Sequence, residues 1–225
     1  MNTGESPRWT DHLELMTLSH HRDEPIDIHS ELRPHDEVLD FLKSIQRSGR
    51  LKRYCNGSNL GGRWLFQIYT TEFIDELSDV INKSLDRSGR VGPVLEVMAG
   101  DGRLSEFLSH RVRREIITTD AKDGRYDIAY PKWVLHESAI QAIERHNPSF
   151  VLACWEPYLS MDSIMIAKSG VPFAWIGDPT MCGHPDLFQH GHERKNSPYM
   201  LSRHDSFLED DFKTDIFLFN TSRID

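Results

Sequence analysis

Residues 94–105, VLEVMAGDGRLS, place a carboxylate, Glu96, inside an apolar run and follow it with Ala99-Gly100-Asp101-Gly102. Glycine lets the backbone come close to a ligand, and a turn between a strand and a helix lies where α/β sheets bind ligands. A carboxylate within an apolar strand is costly unless a positive group or hydrogen-bond donors meet it. Farther on, Asp120 ends the run EIITT, with Asp123 close behind. A carboxylate is acceptor-only and bidentate, which suits it to a pair of hydroxyls; capping of the next turn is the plainer alternative. A third group lies in CGHPDLFQHGH, where Cys182, His184, His190 and His192 run as C-x-H-x5-H-x-H. Four such ligands suit tetrahedral zinc, but the spacing matches none of the usual structural-zinc patterns, so we assign no metal and expect a polar loop.

These residues need elements to hold them. Five short apolar runs bounded by turn signals read as buried strands: 94–97, 116–119, 133–136, 150–154 and 171–176. Helical patterns separate several of them, through Leu104, Phe107 and Leu108 and through Ile140 and Ile143. The alternation predicts an α/β fold: a doubly wound, mostly parallel sheet of six or seven strands with helices on both faces, plus a helical N-terminal segment. Upstream, Phe66, Tyr69, Phe73, Leu77, Ile81 and Leu85 recur every three or four residues and predict one long amphipathic helix from Arg63 to about Leu85. Residues 216–220 read as a last strand, and 178–215 as irregular. A further helix lies in PHDEVLDFLKSI, where Val38, Phe41, Leu42 and Ile45 share a face. The turn-rich CNGSNLGG (55–62) then marks a boundary between an N-terminal cap segment, 1–62, and a main domain, 63–225.

Two cofactor classes compete for a strand-turn-helix of this kind. A dinucleotide calls for a third glycine near the place where Glu106 stands, whereas the row E-x-x-A-G-x-G resembles the first motif of the class I S-adenosylmethionine-dependent methyltransferases over roughly residues 63–177. That resemblance implies S-adenosylmethionine as cofactor, held around Glu96, Met98, Ala99, Gly100 and Gly102, with Met98 at the position of the family's first glycine. It implies that Asp120, with Ala121 beside it, meets the ribose hydroxyls. Glu137 and Ser138 would stand near the adenine, Ser138 also being able to cap the helix that begins AIQAI. In the position of the family's fourth motif the chain reads ACWEPY, keeping only Pro157 and Tyr158 of D/N-P-P-Y. Glu156 is there the candidate base, Tyr158 the candidate positioner of substrate, and Trp155 a flank for adenine or substrate. The alternatives are a solvated loop carboxylate and a packed aromatic. The loop after the fifth strand brings His184 to the same sheet edge as another candidate base.

Composition sets the outer bounds. The chain has 225 residues and a formal net charge of −9, with no Lys/Arg stripe interleaved with aromatics, which disfavours nucleic acid as a partner. Its three cysteines are odd in number and far apart, unlike a disulfide framework, and nothing resembles a membrane span or a secretory leader. A cytoplasmic location is the resulting expectation. The acceptor is expected to be a small molecule or a protein side chain. The alternative is a binding or regulatory protein that keeps the fold and perhaps the cofactor without catalysis.

Overall fold

The computed structural model describes residues 27–123 and 128–221. Its centre is a seven-stranded sheet in the order β4-β3-β2-β5-β6-β9-β7. The strands are β2 (Val94–Val97), β3 (Ile116–Asp120), β4 (Leu135–His136), β5 (Phe150–Cys154), β6 (Phe173–Gly177), β7 (His192–Arg194) and β9 (Asp215–Phe219). Neighbours from β4 to β6 are parallel, while β9 runs antiparallel to both β6 and β7. Because β2 has β3 on one side and β5 on the other, the winding reverses there, which is where such sheets open a crevice at their carboxyl ends.

Alternation of side chains sends Val94, Leu152, Ala174 and Ile216 to one face, where α3 (Thr71–Ser88) and α4 (Arg103–Leu108) cover them. Leu95, Val97, Val151, Phe173, Trp175 and Phe217 go to the other, under α5 (Ala139–His146) and α6 (Asp162–Lys168). The doubly wound, mostly parallel architecture is therefore as expected. A third cluster joins α1 (His35–Arg47) and α2 (Leu51–Cys55) to Leu65, Ile68, Leu201 and Phe207. Val38, Leu42 and Ile45 are buried on the predicted face of α1.

Several expectations need correction. The helix expected from Arg63 starts at Thr71. Gln67 and Ile68 form a short strand, β1, which pairs antiparallel with β8 (Leu201–Ser202), and the Thr70 side chain then accepts a hydrogen bond from Phe73 N to cap α3. An N-cap in the extended region stops the helical period from running back through Phe66 and Tyr69. Trp133 lies outside β4, and β4 is an exposed edge strand rather than a buried one. The stretch read as irregular contains a 3-10 turn (Pro185–Gln189), β7 and β8, elements too short to leave a periodic signal.

Candidate functional site

The glycine turn sits at the carboxyl end of β2, at the reversal point. It depends on left-handed backbone: Met98 (φ 55°), Gly100 (φ 58°) and Gly102 (φ 73°) all have positive φ. At Gly102 a Cβ would come within 2.4 Å of the Trp133 ring, so both conformation and space demand glycine. Met98 adopts the same region with a side chain, which costs roughly 1–2 kcal/mol and is offset by packing against the α5/α6 face.

Asp120, at the end of β3, reaches across to this turn. Its Oδ2 accepts from Gly100 N at 2.9 Å and its Oδ1 from Lys122 N at 2.7 Å. A carboxylate offers about four lone-pair sites, so these two bonds, with a third to the Tyr130 side chain, orient Asp120 and leave some acceptor capacity. Burial and then the charge of Asp120 push the Tyr130 phenol up to about 12. Ala121 follows Asp120 on the exposed surface, and Asp123 is also exposed.

Glu96 is 1% exposed and points beneath α4, where its Oε2 accepts from Ser105 N at 3.0 Å and from the Ser105 hydroxyl. The donors that an acid in an apolar strand requires thus come from the chain itself. Burial pushes its carboxyl up to about 8, against the lowering effect of the Ser105 bonds. Asp101, in the turn, is met by His29 Nε2 at 2.8 Å and by Arg63 at 3.4 Å, both from the segment before α3. Burial alone would raise the Asp101 carboxyl, but the His29 hydrogen bond and charge, with Arg63, hold it below its ordinary value.

The residues expected near adenine each have partners within the chain. Glu137 is taken up by the end of α5, accepting from Arg145 at 2.6 Å and His146 Nε2 at 2.9 Å. Ser138 is the N-cap of α5, its N and Oγ both bonded to Gln141 Oε1. Trp155 stands at the carboxyl end of β5 with φ 58°; its indole N–H donates to Gln67 Oε1 at 3.0 Å, and its ring stacks on His204 at 5.3 Å.

The loops that carry the three candidate catalytic residues are tied together by backbone bonds, Gly183 N donating to Glu156 O at 3.1 Å and Leu159 N to Gly183 O at 2.8 Å, while their side chains take different partners. Glu156 is fully buried, contrary to a solvated loop carboxylate, and accepts from Ser163 N at 3.0 Å and Trp175 Nε1 at 3.2 Å. Burial raises its carboxyl, opposed by the Ser163 bonds. Tyr158 is 58% exposed, contrary to a packed aromatic. His184 caps the 3-10 turn, its Nδ1 accepting from Asp186 N at 3.1 Å. Cys182 is buried with its Sγ against Asp178 O, and His192 Nδ1 bonds to His190 O. Among the described residues no three His, Cys, Asp or Glu side chains are grouped to hold a metal ion.

Sequence reasoning passes over four side chains at this edge. Asp178 follows β6, Thr214 precedes β9, and His204 and Asp205 follow β8. Asp178 had a legible signal, a carboxylate directly after the apolar run PFAWIG; His204 had none, because only pairing of β8 with β1 brings it to Trp155.

No family model and no curated protein matches this chain. Among solved structures, geranyl diphosphate methyltransferase in complex with GPP and sinefungin aligns over 95% of this chain and 98% of that one, at 9% identity and a TM-score of 0.34. A likeness of that size carries no argument about function. Among the described residues no helix is long and apolar enough to cross a membrane.

Proposed function

We propose that the protein is an S-adenosylmethionine-dependent methyltransferase acting on a small molecule or a protein side chain. The observation that carries this reading is the left-handed turn from Met98 to Gly102 at the reversal point of the sheet, with the Asp120 carboxylate held against Gly100 N by a 2.9 Å hydrogen bond. The donor set fits the cofactor in part. Asp120, bonded to Gly100 N, Lys122 N and the Tyr130 hydroxyl, keeps acceptor capacity for a ribose hydroxyl, and a Cβ on Gly100 would meet only Ile128, at 3.8 Å, so this part of the turn is open. Glu96 and Glu137 are engaged internally and shape the walls instead.

When bound, the cofactor would supply an electrophilic sulfonium methyl group for an acceptor, with a neutral thioether as its demethylated product. The chain's part is to orient the acceptor, receive any proton it releases and exclude water. Calorimetric titration with S-adenosylmethionine and with its demethylated product tests the reading. Wild type is expected to bind both, and Asp120→Ala to weaken both by roughly tenfold, about 1.4 kcal/mol. Absence of binding by folded wild type sinks the proposal.

A second reading has an observation behind it. Met98 in place of glycine, with Asp101 tied to His29 and Arg63, favours a protein that keeps the fold and cofactor as a binding module. Binding without turnover across amine, hydroxyl, thiol and carboxylate acceptors would decide for it.

A further inference from the structure

We infer that the carboxyl end of β5 and β6 is a subsite for an acceptor's nitrogen group bearing N–H donors, a cationic amine or guanidine, anchored by Asp178 and walled by the stacked rings of Trp155 and His204. The inference rests on the methyltransferase reading for its role as an acceptor site, but not for the binding it specifies.

Asp178 is 2% exposed. Its Oδ1 accepts from both the backbone N–H and the hydroxyl of Thr180 at 2.8 Å, while its Oδ2 has no hydrogen-bond partner. Among the described residues this is the one carboxylate oxygen so placed. The last pair between β6 and β9 is Gly177 with Asp215, so Asp178 and Thr214 are the next residues on the two chains. Thr214 is 4% exposed, and its Oγ1 is also without a partner. Two orphaned polar atoms thus belong to the residues that follow the last pair at one sheet edge. A buried polar group left unpaired costs about 1–3 kcal/mol, more when charged, so two at one place call for a group from outside the chain.

The chemistry of that group follows from what faces it. Asp178 Oδ2 accepts only, which requires a donor and rejects carboxylates and phosphates. Asp205, whose negative charge lies near enough for Asp178 to affect it, has both oxygens occupied, by Ser202 N at 2.6 Å and Lys213 N at 3.0 Å. It therefore adds negative charge without competing for the donor. On the other side, Trp155 N bonds to Ile176 O at 2.9 Å, placing the Trp155 backbone beside the end of β6. Gln67 fixes the ring, and His204 lies nearly parallel to it, at 26°. Burial, then the nearby Arg203 charge, hold His204 below the usual histidine range, so at neutral pH it is an uncharged flat wall. His204 lies near enough to Asp178 for that carboxylate to affect it, and a flat uncharged ring beside a carboxylate suits an organic cation.

The test uses the full chain at neutral pH, saturated with the demethylated cofactor product, and two matched probes, benzylamine as cation and phenylacetate as anion. Wild type is expected to bind benzylamine and reject phenylacetate. Asp178→Asn should weaken benzylamine by roughly tenfold or more and Thr214→Val by roughly threefold. Affinity for the cofactor product should stay within about twofold in both variants, since neither residue touches the glycine turn. Equal binding of benzylamine by wild type and Asp178→Asn overturns the inference, as does preference for phenylacetate. Should Asp178→Asn fail to fold by circular dichroism, Thr214→Val and His204→Ala, which removes the wall, decide the matter. Benzylamine binding that depends on Asp178 without any binding of the cofactor product leaves the subsite standing and removes the methyltransferase reading; the reverse pattern removes the subsite alone.

Discussion

The two halves of the sheet's carboxyl edge differ in how their carboxylates are met. Around β2 and β3 each acid has partners within the chain: Glu96 with Ser105, Asp101 with His29 and Arg63, Asp120 with Gly100 and Lys122. Around β6 and β9, Asp178 keeps one oxygen and Thr214 its hydroxyl without a partner. The first half is organised before any ligand arrives, as a site for a constant cofactor needs to be. The second holds polar atoms whose partners must come from elsewhere, which suits the group that is exchanged and selected.

Four tests would break or sharpen that contrast. The largest effect is expected from Gly102→Val, which forces a β-branched residue to φ 73° and drives its Cβ into Trp133. Urea unfolding should show a loss of about 3 kcal/mol or more. Next comes Glu96, whose folded carboxyl at about 8 lies above its ordinary 4.5. Between these values the folded state holds a proton that the unfolded chain has released. This contribution to stability is complete below about pH 4.5 and is lost as pH rises through about 8. Glu96→Gln keeps an acceptor for Ser105 and does not titrate, so it should exceed wild type by about 2 kcal/mol at pH 9, the gap closing near pH 5. A steeper fall with pH in the variant would refute this account.

The third test compares the halves directly. Asp120→Ala frees the part-buried tie to Gly100 and should cost about 1–2 kcal/mol, whereas Asp178→Asn removes a buried carboxylate with one unpaired oxygen and should cost nothing in thermal unfolding without ligand. Equal losses would show that the two halves are satisfied alike. The smallest effect belongs to Met98→Gly. Relief of the left-handed residue, about 1 kcal/mol, is nearly cancelled by lost packing and by glycine's freedom in the unfolded chain. Its melting temperature should stay within a few degrees of wild type.

Legibility in the sequence tracked how local the causes were. VLEV, IITTD and FVLAC were readable as strands because buried parallel strands are continuous apolar runs, and α1 was readable because its face repeats every three or four residues. The helix from Arg63 misled because Phe66 and Tyr69 continue the α3 period by coincidence, while a two-residue pairing with β8 claims Gln67 and Ile68. Glu137 and Glu156 carried the right type at plausible places, but their partners lie on helices that only folding brings near: Arg145 and His146 on α5, Ser163 on α6.

By itself the sequence determined the alternation of strand and helix, the glycine turn after β2, and the acid that ends β3, all consequences of periodicity and of backbone conformations that few residues tolerate. Only the tertiary structure decided which acids were spent and which remained open. A carboxylate's availability is set by donors arriving from distant elements, so the sequence could show Glu96, Glu156 and Asp178 equally well while the fold alone left Asp178 Oδ2 unpaired.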